Sequence, residues 1–118
     1  MIIAVPMDEN KKDICVSFGR APFFLFSNTE TGKEELKANP AAEASGGAGI
    51  KAAQAVVDGG AGTLITVRCG ENAAEVFKAA NIKIYKAEGS DAHENLKALA
   101  EGSLQELTHF HAGYHGIK

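Results

Sequence analysis

Four consecutive aliphatic residues, Ile2-Ile3-Ala4-Val5, stand almost at the start of the chain and are stopped by Pro6. An unbroken apolar run of this kind suits a strand covered on both faces, and so a central strand of a layered sheet. Such a strand needs helices above and below it, and the later sequence supplies them. Thr63-Leu64-Ile65-Thr66-Val67 is a second β-rich run of the same buried type. Ile82-Lys83-Ile84-Tyr85 alternates and predicts a third strand, less deeply buried. Helical periodicity fills the intervals. Ile50, Ala53, Val56 and Val57 share one face of a helix that Asp58-Gly59-Gly60 ends. Asn72 predicts the N-cap of a second helix, with Glu75 as reciprocal partner and Ala73, Val76, Phe77 and Ala80 as its buried stripe. Ser90 or Asp91 caps a third, which carries Ala92, Leu96, Leu99 and Ala100 and closes at Gly102.

A hairpin precedes the first helix. Ile14 to Phe18 alternates like a strand, with Ile14, Val16 and Phe18 on one side, until Gly19-Arg20-Ala21-Pro22 interrupts. Phe23 to Phe26 is strongly strand-like, and a turn at Thr29 to Gly32 lets Lys33 to Ala38 pair back as an edge strand. Division at Pro22 leaves Cys15 to Arg20 as a loop. The sum is an α/β fold: a five-stranded mixed sheet in the order 3-2-1-4-5, helices on its faces, in three layers. A single domain is expected over 1–107, with 108–118 as a His-containing tail.

Composition removes several classes. A net charge of −3 and the lack of any Lys/Arg run leave no basic face for nucleic acid. No apolar run approaches the roughly 20 residues of a membrane span. The first residues lack the positive lead-in of a signal peptide, so the protein reads as cytoplasmic. In a reducing compartment Cys15 and Cys69 are expected as free thiols or metal ligands rather than a disulfide.

In a sheet of this order the ligand crevice lies beyond the carboxyl ends of the parallel strands. Three segments should meet there. The first is Cys15 to Arg20, the second Ser45-Gly46-Gly47-Ala48-Gly49, and the third Arg68-Cys69-Gly70-Glu71-Asn72. The glycine loop puts backbone N–H groups and a helix dipole together, which suits an anion, although a plain loop would have the same composition. It lacks both the Walker lysine and G-x-G-x-x-G spacing. Arg20 could clamp an anionic ligand or pair with Glu71 across the crevice. Cys69 at a helix N-terminus would have a lowered thiol pKa and bind metal better, or would be a small packed residue. Cys15 is a second thiol for the same crevice, or a buried filler. In an extended tail His109 and His111 project to one side and His115 can fold back, a set able to hold a transition metal or to bind one adventitiously. His93 is expected at the surface. Catalytic groupings are absent, and the central strand IIAV lacks the carboxylates of ribonuclease-H-like nucleases, which share this strand order.

Three segments in sequence, Phe18-Gly19-Arg20-Ala21, then Asn39-Pro40 with Gly47-Ala48-Gly49-Ile50, then Gly70-Glu71-Asn72-Ala73, resemble the dinitrogenase iron–molybdenum cofactor biosynthesis family. That is the domain of NifX, NafY and the C-terminal part of NifB, and the resemblance covers about residues 1 to 105. It implies a ribonuclease-H-like mixed α/β fold and a non-enzymatic role in binding or carrying iron–sulfur or iron–molybdenum clusters among cofactor-assembly proteins. Family members commonly have histidine where this chain has Ser17, and often have histidines in the glycine loop, where Glu43 to Gly49 has none. Serine is a poor iron ligand. The expected site is therefore Cys15 and Cys69 as thiol ligands, with Ser17, Arg20, Ser45, Gly46, Gly47, Gly49, Gly70 and Asn72 holding an anionic cluster, and His109, His111 and His115 as further imidazoles. A metal-free site for a small anionic metabolite, or a protein-interaction domain with a vestigial pocket, are the alternatives.

Overall fold

The computed structural model describes residues 1–110. The IIAV run forms the middle of β1 (Ile2–Met7), and the hairpin arms are β2 (Phe23–Asn28) and β3 (Glu34–Ala38). There follow α1 (Ala48–Asp58), β4 (Thr63–Thr66), α2 (Glu71–Ala79), β5 (Lys83–Lys86) and α3 (Ala92–Ala100). The sheet runs β3-β2-β1-β4-β5. β1 is antiparallel to β2 in a register that pairs Ala4 with Phe26, and parallel to β4, pairing Ala4 with Leu64. The mixed five-stranded sheet is thus the one expected from the sequence.

Alternation along the strands divides the core in two. Ala4, Phe24, Phe26, Leu64 and Ile84 point to the face where α1 and α2 lay Ala52, Ala53, Val56, Ala73 and Phe77. Ile3, Val5, Met7, Leu25 and Ile65 point to the other face, which α3 covers with Ala92, Leu96 and Leu99. Each fully buried Val, Leu, Ile, Phe or Met side chain among these contributes roughly 1.5–3 kcal/mol. β3 is exposed along its whole length, and its charges keep that edge from pairing with another chain.

Three local expectations are revised. Pro6 does not end β1, which runs on to Met7. Pro6 lies past the two residue pairs registered with β4, so its missing N–H removes nothing from that ladder. Helix α1 starts at Ala48, two residues before Ile50. Val16 does not share a side with Ile14 and Phe18: those two are buried, whereas Val16 is 57% exposed. The chain there is a loop touched by single bridges, Ile14 to Met7 and Ser17 to Arg68, so strand periodicity does not apply. After α3 the chain returns along β5, where the Leu107 N–H donates to the Ile84 carbonyl at 2.8 Å and Leu104 is buried.

Candidate functional site

The loop that follows β1 is held by its own apolar residue. Phe18 inserts into the core with its ring centroid 5.4 Å from those of both Phe24 and Phe77. Its neighbours Ser17 and Arg20 are thereby left at the surface. Asn39, itself buried, stitches the loop to the next one: its Nδ2 donates to the carbonyls of Gly19 (3.1 Å) and Ala21 (2.9 Å). Arg20 completes the seam. Its guanidinium donates to the Ala42 carbonyl at 3.3 Å and to the Ala44 carbonyl, directly before the glycine loop. Glu71 is not its partner, because the turn carbonyls take up the guanidinium first.

Two helices begin at this place, and neither has a side-chain cap. α1 is entered through Gly47 in the left-handed region (φ 67°), a conformation that glycine adopts without strain. α2 is entered through Gly70, extended at ψ 161°. The expected cap at Asn72 is therefore wrong: helix already begins at Glu71, so Asn72 lies inside the first turn, where it cannot act as N-cap. The first-turn N–H groups of both helices are left without a side-chain acceptor. By contrast α3, which begins elsewhere, is capped by Asp91, whose Oδ1 accepts from the Glu94 N–H at 2.9 Å.

Between the two uncapped ends lies a cavity of about 710 Å³. Ser17 and Arg20 line it from the first loop, Ser45, Gly46, Gly47 and Gly49 from the second, and Cys69, Gly70 and Asn72 from the third. Arg68, Val16 and Ile50 also line it, and sequence reasoning singled out none of them as a site residue. Arg68 carried a usable signal, being a cation just past the carboxyl end of a parallel strand. Val16 fell within the Cys15–Arg20 segment expected here but with no role of its own, and Ile50, expected on the apolar face of α1, is 47% exposed. Among the described residues lining this cavity none is acidic, although the chain as a whole has a net charge of −3.

The thiols depart from expectation. Cys15 does not line the cavity. Its N–H is tied to the Pro6 carbonyl at 2.9 Å, and Asp8 lies beside its thiol. Burial, the largest cause, raises the Cys15 pKa, and Asp8 acts in the same direction. Cys69 does line the cavity, but it is 1% exposed and burial pushes its thiol pKa up to about 12. The helix N-terminus does not lower it, because desolvation of a thiolate outweighs the dipole at this depth. His109 is exposed and away from the cavity, while His111 and His115 lie outside the described residues. His93 is at the surface, where Nε2 lies 2.9 Å from Glu34 Oε1 and this hydrogen bond raises its pKa.

A sequence model described as "Dinitrogenase iron-molybdenum cofactor" matches residues 1–102. The chain belongs to this family. An uncharacterized protein of Methanocaldococcus jannaschii is 31% identical over 110 residues, covering 91% of this chain and 92% of its own. The apo form of the orange protein from Desulfovibrio gigas superposes with a TM-score of 0.84 at 31% identity, over 91% of this chain and 92% of that one. A Thermotoga protein proposed to be a NifB gives a TM-score of 0.79 at 36% identity, over 95% and 97%.

The family's cofactor can be tested against the donors at hand. Iron takes thiolate or imidazole, and a stable site needs several such ligands. The cavity offers one thiol and, among its described lining, no imidazole. Among the described residues no group of three or more His, Cys, Asp or Glu could hold a metal ion. Direct ligation of a metal by this cavity does not fit. What the cavity gathers instead is two arginines and two uncapped helix starts.

Proposed function

We propose that this chain is a non-enzymatic carrier in cofactor assembly, whose cargo is an anionic cluster, iron–sulfur or molybdenum-containing, held as a complete anion with its own ligands. One observation carries the reading: two uncapped helix N-termini and two arginines converge on a cavity of about 710 Å³ with no acidic residue among its described lining. Each element favours negative charge, through the dipole and orphan N–H groups of the helices and through charge-assisted hydrogen bonds from arginine. Kinship with a cofactor family supports the choice of cargo, and the relative known in an apo form is one from which a group can be absent.

Ser17, Arg20, the Ser45–Gly49 loop, Gly70 and Asn72 would surround the anion, with Cys69 a neutral part of the wall. A metal-free anionic metabolite is the second reading, and the lack of a ligand cluster among the described residues favours it over any site that ligates metal itself. Anaerobic purification followed by native mass spectrometry and metal analysis distinguishes the two. A co-purifying cluster with stoichiometric metal supports the first reading, and a metal-free bound anion the second. A chain that carries no ligand and binds no offered anion refutes both.

A further inference from the structure

The two arginines of the cavity differ in what already holds them. Arg20 is engaged: its guanidinium donates to the carbonyls of Ala42 and Ala44, in the turn that leads into the Ser45–Gly49 loop. Arg68 is anchored through its backbone instead. A parallel bridge joins it to Ser17, beyond the registered β1–β4 pairs. The buried Thr66 hydroxyl donates to the Arg68 carbonyl at 3.3 Å, and the next residue, Cys69, is packed in the core. Its guanidinium has no hydrogen-bond or ion-pair partner among the described residues, and Arg68 is an exposed residue of the cavity lining.

We propose that Arg68 is the cation that contacts the bound anion directly, and that Arg20 is a positioning residue which shapes the glycine loop. This assignment rests on the anion reading above. A planar fork of five donors on a fixed stem is suited to meet an oxyanion or a sulfide-rich surface. Arg20 has spent part of its fork on turn carbonyls, and losing it would free the 42–49 segment before it affected the anion. The two roles therefore separate experimentally.

The test uses the full chain with molybdate as probe, titrated calorimetrically at several ionic strengths. Arg68→Gln is expected to weaken binding at least about tenfold and to flatten its dependence on ionic strength. It should leave hydrogen exchange of the residue 45–49 amides in the ligand-free protein unchanged. Arg20→Gln is expected to speed that exchange and to weaken binding while keeping most of the ionic-strength dependence. Arg20→Lys, which retains a donor for the carbonyls, should recover most of both. Arg68→Gln with wild-type affinity overturns the assignment and leaves the anion reading standing. So does an Arg20→Gln protein whose exchange is unchanged but whose binding no longer responds to ionic strength. A wild-type protein that binds no molybdate overturns the anion reading and this assignment together.

Discussion

Gly19 packs directly on Gly49: a Cβ built at Gly19 would lie 3.2 Å from the Gly49 nitrogen and 3.3 Å from its Cα. This contact brings the loop after β1 against the first turn of α1 and closes one side of the cavity. Both opposing atoms are backbone, so neither can rotate away. Gly19→Ala is therefore expected to displace the helix start by a few tenths of an ångström. The cost should be about 1–3 kcal/mol, as for other overpacked contacts, with weakened anion binding. Urea unfolding and calorimetric titration measure the two effects, and an alanine variant with unchanged affinity would show that the contact does not shape the site.

Asn39 holds the same seam from the side. Its amide donates twice, and its Oδ1 accepts from the Ala41 N–H at 2.9 Å. Asn39→Ala removes three hydrogen bonds and leaves buried carbonyls unpaired, which should cost roughly 2–4 kcal/mol. Asn39→Asp should be comparably harmful, since it loses both donors and buries a charge. Equilibrium denaturation gives the values, and a loss under half a kcal/mol would contradict the role.

Cys69 should be chemically inert in the folded protein. Its pKa of about 12 leaves no useful thiolate at neutral pH, and it is 1% exposed. Iodoacetamide at pH 7.5 is expected to modify Cys15 first, and Cys69 only after denaturant is added, as read by peptide mass mapping. Because the folded pKa is raised above the ordinary 9.0, folding is favoured fully below pH 9 and loses stability as pH climbs from 9 towards 12. Cys69→Ala should show a shallower decline over that window.

His93 and Glu34 link the start of α3 to the edge strand. The hydrogen bond to Glu34 raises the His93 pKa above its ordinary 6.5. The contribution is thus complete below about pH 6.5 and lost as pH rises through the raised value. At 62% side-chain exposure the pair is well screened, so the effect should be small. Thermal unfolding of wild type and His93→Gln should differ at pH 5.5 and converge by pH 8.5; curves that stay parallel would remove the pair from the stability account.

Much of the framework was legible because it depends on local pattern. IIAV declared a doubly covered strand, the Phe23–Phe26 run its antiparallel neighbour, and the charged EELK stretch an edge. Spacing of Ala53 and Val56, and of Ala73 and Phe77, named the faces that α1 and α2 bury. Strand order then followed from the alternation of strands with helices. Those signals have short range, and each is carried by residues within a single element.

The site was legible in outline through the same rule, since parallel strands bring their carboxyl ends together and with them the loops of Ser17, Gly47 and Gly70. Its chemistry was not. Cys15 and Cys69 look equivalent in the chain, yet one lies outside the cavity beside Asp8 and the other is packed in its wall with a raised pKa. Arg20 and Arg68 are both cations near a turn, yet only the fold shows Arg20 bound to Ala42 and Ala44 and Arg68 without a partner among the described residues. Asn72 has the spacing of a cap, but Gly70 enters α2 in an extended conformation and moves the helix start ahead of it. Hydrophobic periodicity therefore settled which elements form and how they stack, since burial acts along each element. Charge, thiol reactivity and the free ends of α1 and α2 were settled only on assembly, because desolvation and hydrogen bonding depend on which distant backbone atoms arrive beside each group.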